Sequence, residues 1–233
     1  MIEQVLNARN VEHAIKKVIS NKGSAGVDGM GVKELRAYLK TDKGKMFMQA
    51  YHGKYETQAI LGVEIPKANG KTRLLGIPTV KDRFLQQAVL QILVMKYEPQ
   101  FSEDSFGFRY NKKGQEAVLQ ARKYVEEGYR YMVDIDLKNF FDEVDHSILL
   151  QLLYRKIQCP KVLRLIRKWL RAPIEKNGKL VKRRKGIPQG SPISPLLANI
   201  MLHELDMYIK EMGVRYIRYA DDFSLYLQDK RCN

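Results

Sequence analysis

Apolar residues recur at helical spacing in several stretches of the chain, which indicates helices that bury one face. The predicted helices cover residues 11–21, 32–39, 78–97, 115–127, 145–157, 160–170 and 196–212. Gly23, Gly128 and Gly213 follow three of these stretches and favour helix ends there. Asp145 and Pro160 suit the first positions of two others.

Shorter stretches rich in β-branched and aromatic residues favour strands. They cover residues 60–65, 72–77, 131–136, 214–219 and 223–227. Asn69-Gly70 and Asn177-Gly178 are signals of hairpin turns. The pattern as a whole predicts an α+β protein with antiparallel hairpins and many packed helices.

The chain is strongly positive, with 41 Lys and Arg against 26 Asp and Glu and a net charge of +15. This excess indicates a polyanionic partner, most commonly nucleic acid, and the alternative is a highly soluble basic surface without a partner. No apolar run approaches the roughly 18–20 residues of a membrane span, and the N-terminus has no secretory pattern. Cys159 and Cys232 are widely separated, as expected for free thiols in the reducing cytoplasm.

The closing hairpin carries two adjacent acids, Asp221 and Asp222, in its turn. Their like charges repel, so the turn is costly unless a cation neutralises it. Because side chains alternate faces along a strand, the two should not point the same way, and a cation site needs a carboxylate from elsewhere. Asp221 is the predicted main ligand and Asp222 the secondary one.

The strand 131–136 can supply that carboxylate. Asp134 and Asp136 lie two residues apart and therefore on one face, with Val133 and Ile135 expected to face the core. Asp136, where the strand ends, is the predicted ligand, and Asp134 is the alternative. Two hard cations held by oxygen ligands from two strands are what in-line phosphoryl transfer requires.

Several longer motifs stand in order along the chain. They are Val63-Glu64-Ile65-Pro66-Lys67, Gln86-Gln87-Ala88, Ser105-Phe106-Gly107-Phe108-Arg109, the strand that ends at Asp136, Gly186-Ile187-Pro188-Gln189-Gly190-Ser191-Pro192 with its continuation to Ile200, and Tyr219-Ala220-Asp221-Asp222. In this order they closely resemble the motifs of reverse transcriptases encoded by bacterial group II introns. The likeness covers nearly the whole chain.

The resemblance implies a right-hand polymerase fold with fingers and a partial palm. Residues 1–130 would form an N-terminal extension and the fingers, with part of 150–190 as an alternative addition to the fingers, and 131–233 would form the palm. Only 11 residues follow Asp222, so the chain is expected to lack the thumb and to extend primers weakly. Whether it forms a homodimer is left open.

The resemblance also implies template-directed DNA synthesis, in which dNTPs are joined to a DNA primer on an RNA template. Asp136, Asp221 and Asp222 would hold Mg²⁺, for which Mn²⁺ could substitute, and the backbone carbonyl of Ile135 would also reach a metal. The alternative function is a non-catalytic maturase module that binds intron RNA and assists splicing.

Roles in nucleotide binding follow from the same motifs. Lys67 and Arg73 resemble the cations that hold the incoming triphosphate, and Arg suits the clamping of its oxygens. Gln189 resembles the residue that lies against the nucleotide. Phe141 resembles the bulky gate that rejects a ribonucleotide 2′-hydroxyl, and core packing is its alternative role.

Two further segments are candidate nucleic-acid contacts. The glycine-rich loop that includes Gly23, Ser24, Ala25 and Gly26 resembles an insertion that lies over the template, and a mobile loop is its simpler interpretation. The second segment is a basic cluster ahead of the Pro-Gln-Gly turn, expected either to contact phosphates or to be a solvated turn. Its members are Lys182, Arg183, Arg184 and Lys185.

Overall fold

The computed structural model of the chain describes residues 1–66, 70 and 72–228. It divides into two compact units: the first comprises Met1–Met95 and Phe141–Ser194, and the second Lys96–Phe140 and the chain from Pro195 onward. The units are therefore discontinuous in sequence, and the first includes residues 150–190, the segment given above as an alternative addition to the fingers. The reason is a strand pairing between residues 60–61 and 174–175, which ties the segment after Phe141 to the first unit.

Every predicted helix is present. Within the described residues the α-helices are α1 (Ile2–Val5), α2 (Ala8–Ser20), α3 (Leu35–Tyr51), α4 (Val80–Tyr97), α5 (Gly114–Glu126), α6 (Phe140–Glu143), α7 (His146–Lys156), α8 (Pro160–Arg171) and α9 (Ser194–Glu211). Asp145 caps α7, as predicted, by accepting from the amides of Ser147 and Ile148. The helix predicted at 32–39 instead runs to Tyr51, because Met46 and Ala50 continue its buried face.

The strands also follow the prediction closely. They are β1 (Ile60–Pro66), β2 (Thr72–Ile77), β3 (Tyr131–Asp136), β4 (Ile174–Lys176), β5 (Lys179–Val181), β6 (Arg215–Tyr219) and β7 (Asp222–Leu227). The first unit contains a sheet in the order β2-β1-β4-β5, in which β1 and β4 are parallel and the other pairs antiparallel. Asn177 and Gly178 both have positive φ, as a type I′ turn between β4 and β5 requires.

The start of α4 contains a buried acid in the first unit. Asp82 is 1 % exposed and accepts hydrogen bonds from the hydroxyls of Tyr55 and Thr79, the amide of Gln58 and the indole of Trp169. Burial raises the pKa of Asp82, and these donors oppose the shift. The four donors satisfy a carboxyl group that lies away from water.

The second unit is built on an antiparallel sheet in the order β3-β7-β6. One face packs against α5 through Tyr124 and Ala117, and the opposite face packs against α9 through Ile209. Ile135 contributes to the α9 side, as predicted. Val133 does not: it is 44 % exposed, because β3 is the edge strand and α9 covers only its carboxyl end.

The helices of the described residues include none that is both long and apolar enough to cross a membrane.

Candidate active site

The carboxylate hairpin, which we define as β6, the turn Ala220-Asp221 and β7, is closed by the pair Tyr219 and Asp222. Ala220 has a φ of +62°, so the first residue of this two-residue turn is left-handed, as in a type II′ turn. Glycine normally takes that position, and a residue with a Cβ is strained there by about 1–3 kcal/mol. The surrounding structure must therefore hold the turn in place.

The end of β3 lies directly beside this turn. Asp136 is the Cα partner of Asp222, and Asp134 is the partner of Ser224 one step along the ladder. Side chains of opposed residues in an antiparallel pair share a face, so Asp134, Asp136 and Asp222 line the same surface. Together with Ile135 and Tyr219 they border a cavity of about 360 Å³.

The two acids of β3 differ in their surroundings. The carboxylate of Asp134 accepts a hydrogen bond of 2.6 Å from the hydroxyl of Ser224. Asp136 stands at the strand end, opposite another acid rather than a donor. This difference favours Asp136 over Asp134 as a cation ligand.

The position of Asp222 differs from the prediction. Strand alternation along the hairpin made Asp222 only the secondary predicted ligand, but Asp221 lies in the turn, where alternation does not apply, and Asp222 is the first residue of β7. The pKa of Asp222 is raised, because its carboxyl is partly desolvated and because Asp221 and Asp136 add negative charge nearby. Asp222 is therefore electrostatically coupled to both of the other acids.

The donor chemistry of this surface fits a hard divalent cation. Carboxylate and carbonyl oxygens are the ligands that Mg²⁺ and Mn²⁺ prefer, and a cation would relieve the repulsion around Asp222. The side chains are not already gathered into a closed site, since the described residues contain no group of three His, Cys, Asp or Glu that could hold a metal ion. The surface therefore fits a divalent cation in its negative charge and in its oxygen ligands.

Two of the predicted nucleotide-binding residues meet in the first unit. The guanidinium Nε of Arg73 donates to the side-chain oxygen of Gln189. The backbone of Gln189 also accepts from Gly76 of β2 at 2.6 Å, and a Cβ on Gly190 would lie 2.5 Å from the Gly76 oxygen. The Pro-Gln-Gly turn thus lies directly on β2. Lys67 lies outside the described residues.

Phe141 is buried, with 8 % of its surface exposed, in the first unit. Its carbonyl accepts a hydrogen bond of 2.6 Å from the amide of Ile187, so the backbone at the predicted gate is tied to the Gly186–Gly190 segment. The structure thus shows the packing role of Phe141, and the gate role stays a prediction.

The basic cluster divides into two kinds of cation. Lys185 pairs with Glu143, and Arg183 donates to the carbonyl of Gly186 at 2.7 Å. Burial lowers the pKa of Arg183 to about 10. Lys182 and Arg184 are exposed and remain the members that a phosphate could reach.

The glycine-rich loop is packed against the start of α4. The carbonyl of Ser24 accepts from Arg83, and a Cβ on Gly26 would lie 2.8 Å from the backbone of Thr79. Ala25 between them is half-buried, and Gly23 lies against the Arg83 guanidinium. These contacts favour a fixed loop over the mobile one that its composition suggested.

Sequence reasoning missed three buried polar residues behind the hairpin, Asn199, Asp206 and Arg218. A signal for Asp206 exists in the sequence: it stands on the apolar stripe of α9 between Leu202 and Ile209, at helical spacing. An acid on a buried stripe requires a partner, and that partner is Arg218.

A mixed α/β scaffold that presents a carboxylate hairpin beside a second acidic strand end defines a candidate cation site for phosphoryl transfer. The family model described as "Reverse transcriptase (RNA-dependent DNA polymerase)" matches residues 65–232. The chain therefore belongs to the reverse transcriptase family, and the resemblance to group II intron members is confirmed by its relatives.

Two relatives and one solved structure illustrate the similarity. Protein YkfC of Escherichia coli is 32% identical over an alignment of 254 positions, gaps included, that covers 92% of this chain and 67% of YkfC. Group II intron-encoded protein LtrA of Lactococcus lactis is 37% identical over 210 residues, which cover 90% of this chain but 35% of LtrA. A chain of a partial Cas6-RT-Cas1–Cas2 complex matches 99% of this chain and 38% of its own length, with a TM-score of 0.63 and 22% identity, and shows the fold alone.

Proposed function

We propose that the chain is an RNA-directed DNA polymerase of the group II intron type, which adds dNTPs to the 3′-hydroxyl of a DNA primer on an RNA template. The observation that carries this proposal is the placement of Asp136 directly opposite Asp222, beside Asp221 in the adjoining turn. We further propose the right-hand arrangement, in which the second unit supplies the palm and the first the fingers. A location in the bacterial cytoplasm is consistent with the YkfC and LtrA relatives.

The roles of individual residues follow from their chemistry. Asp136, Asp221 and Asp222 would hold Mg²⁺, or Mn²⁺ in its place, with the carbonyl of Ile135 as a further oxygen ligand. When bound, the cations would neutralise charge on the reacting phosphate and lower the pKa of the attacking hydroxyl. The carboxylates would set the position of the cations relative to the reacting phosphate.

The remaining roles belong to the first unit. Arg73 and Lys67 would hold the triphosphate of the incoming dNTP, and Gln189 would lie against that nucleotide. Because Gln189 already accepts from Arg73, the two would bind the nucleotide together. Phe141 would exclude a ribose 2′-hydroxyl.

The test is primer extension on an RNA template, with Asp136→Asn, Asp221→Asn and Asp222→Asn compared against Asp134→Asn. Asp134 is a matched control, because it lies on the same strand and face but is engaged by Ser224. The first three variants should lose extension and Mn²⁺ binding, measured by electron paramagnetic resonance, while keeping RNA affinity. Wild-type primer extension by Asp136→Asn would contradict the proposal. Loss of primer extension in Asp134→Asn would indicate that the cation site lies further along β3, at Asp134.

A second candidate function is a maturase module that binds intron RNA without catalysis. The net charge of +15 and the exposed Lys182 and Arg184 favour it. In this case the aspartate variants would leave function unchanged, whereas Lys182→Gln with Arg184→Gln would weaken RNA binding and reduce its dependence on salt. Sedimentation of the chain with and without RNA would decide whether it forms a homodimer.

A further inference from the structure

A buried ion pair lies behind the carboxylate hairpin, on the face of the sheet that α9 covers. Arg218 of β6 is 1 % exposed and Asp206 of α9 is fully buried. The guanidinium Nε and Nη2 donate to the two carboxylate oxygens of Asp206 at 2.7 and 2.6 Å. This is a bidentate pair, the strongest geometry that an arginine and a carboxylate adopt.

The contribution of a buried ion pair to the stability of the fold is too small to explain why this pair is present. Desolvation of two charges is costly, and apolar residues of similar volume often stabilise a core equally well. Removing one partner of the pair nevertheless destabilises the fold, because the other charge is then buried without a partner. A role for the geometry of the pair is therefore to be sought in what else Arg218 contacts.

The remaining donor of Arg218 reaches the hairpin turn. Its Nη1 donates to the backbone carbonyl of Ala220 at 2.8 Å and to the side-chain oxygen of Asn199 at 2.9 Å. Asp206 thus fixes the guanidinium on one side, and the guanidinium holds the carbonyl that precedes Asp221. The hydrogen bonds lie on the face opposite the carboxylates.

Asn199 connects the same network to a second contact with the turn. Its side-chain amide donates to the carbonyl of Gly107 at 3.0 Å. A Cβ on Gly107 would lie only 2.0 Å from the Ala220 nitrogen, so the backbone of Gly107 is already packed against the turn. The left-handed residue of the turn is therefore held at its carbonyl by Arg218 and at its nitrogen by Gly107.

We infer that Arg218, Asp206 and Asn199 are positioning residues for the nucleotidyl transfer proposed above, because they fix the strained turn that places Asp221 and Asp222. None of the three lines the carboxylate surface. Their effect is therefore on where the carboxylates lie. The expected effect on catalysis rests on the proposed function, whereas the expected effect on the position of the turn rests on the hydrogen bonds alone.

The first variant to test is Arg218→Lys, which keeps a cation next to Asp206 but loses the arm that reaches the Ala220 carbonyl. Arg122→Lys is its control, since Arg122 makes an exposed pair with Glu126 on α5. We expect Arg218→Lys to lower kcat for primer extension by about 10- to 100-fold with little change in the KM for dNTP, as displacement of a catalytic group does. Arg122→Lys should match the wild type.

The second variant separates positioning from folding. Arg218→Met with Asp206→Leu replaces the buried pair by apolar residues and is expected to remain folded. If the pair only stabilises the core, this double variant will regain wild-type kcat and Mn²⁺ affinity, and the inference is overturned. If the pair positions the turn, both stay reduced, and the amide resonances of Ala220 to Asp222 shift in nuclear magnetic resonance spectra.

Different measurements test the polymerase function and the positioning role of the Arg218 network. A wild-type chain that binds Mn²⁺ at the hairpin but never extends a primer would defeat the proposed polymerase function and leave the positioning inference to be judged on resonances and Mn²⁺ affinity. Unchanged resonances and unchanged Mn²⁺ affinity in both Arg218 variants would defeat the inference, whatever the activity.

Discussion

Gly107 allows a direct test of the packing around the turn of the carboxylate hairpin. In Gly107→Ala the new Cβ would lie 2.0 Å from the Ala220 nitrogen and 2.8 Å from its Cα. Ordinary contact begins at 3.4 Å, so the two backbone segments must separate by about 1.4 Å, and neither has a flexible side chain that could absorb the shift. A displacement of about 1 Å at a reacting group can lower the rate by about 100-fold.

Overpacking of this kind also destabilises a fold by about 1–3 kcal/mol. For a chain of this length we expect the melting temperature to fall by about 2–4 °C for each kcal/mol. Gly114→Ala is the matched control, because its Cβ would meet the Tyr219 ring at 3.6 Å, which is ordinary contact. We expect Gly114→Ala to keep the wild-type melting temperature or exceed it slightly, since alanine is the better helix former.

Primer extension and Mn²⁺ binding on folded samples provide the assay for both variants. Gly107→Ala should lose about 100-fold in extension rate and bind Mn²⁺ more weakly, while Gly114→Ala keeps both properties. Wild-type extension and Mn²⁺ affinity in Gly107→Ala would refute the claim that this backbone contact holds the turn.

Three further predictions concern the first unit. Burial lowers the pKa of His146, so the stability that its neutral form contributes is present above the ordinary pKa of about 6.5 and is lost as the pH falls through the lower pKa of the folded state. In urea titrations the wild type should be more stable than His146→Gln at pH 7.5, and this difference in the free energy of unfolding should shrink towards pH 5. A difference that stays constant with pH would contradict the prediction. Trp169→Phe removes the indole donor 3.0 Å from Asp82 and should cost about 1–3 kcal/mol in thermal unfolding followed by circular dichroism, whereas an unchanged melting temperature would show that the bond contributes nothing. Phe141→Ala should reduce the preference for dNTPs over NTPs, and an unchanged preference in a folded variant would leave Phe141 with its packing role alone.

The elements that sequence reasoning predicted well are those specified locally. The β1–β2 and β4–β5 pairs carry Asn-Gly turn signals and the helices have apolar stripes, so each is specified within about twenty residues. The parallel pairing of Ile60 with Ile174 is different, because it joins distant parts of the chain and leaves no local mark. For that reason local patterns did not predict the discontinuous units, and only the family resemblance suggested part of 150–190 as an addition to the fingers.

The sequence singled out the acids of the candidate site, whose catalytic roles stay predictions, but it did not specify their geometry. The acids were identified by their positions at a strand end and a turn, but the register that sets Asp222 opposite Asp136 depends on how β3 pairs with β7. The same applies to the basic cluster, where Arg183 turns inward to Gly186 although its neighbours suggested an exposed row. Side-chain direction in a loop depends on contacts that sequence spacing does not specify.

The carboxylate hairpin combines two unfavourable features, a left-handed residue in its turn and closely spaced negative charges. The left-handed Ala220 is hydrogen-bonded by Arg218 on the α9 side, and its nitrogen lies against the backbone of Gly107, which follows the segment bridged to β6. Partial desolvation is the largest cause of the raised pKa of Asp222, and the negative charges of Asp221 and Asp136 add to it. Contacts within the second unit therefore meet the strain of the backbone, and the proposed role of a divalent cation is to neutralise the excess negative charge of the hairpin.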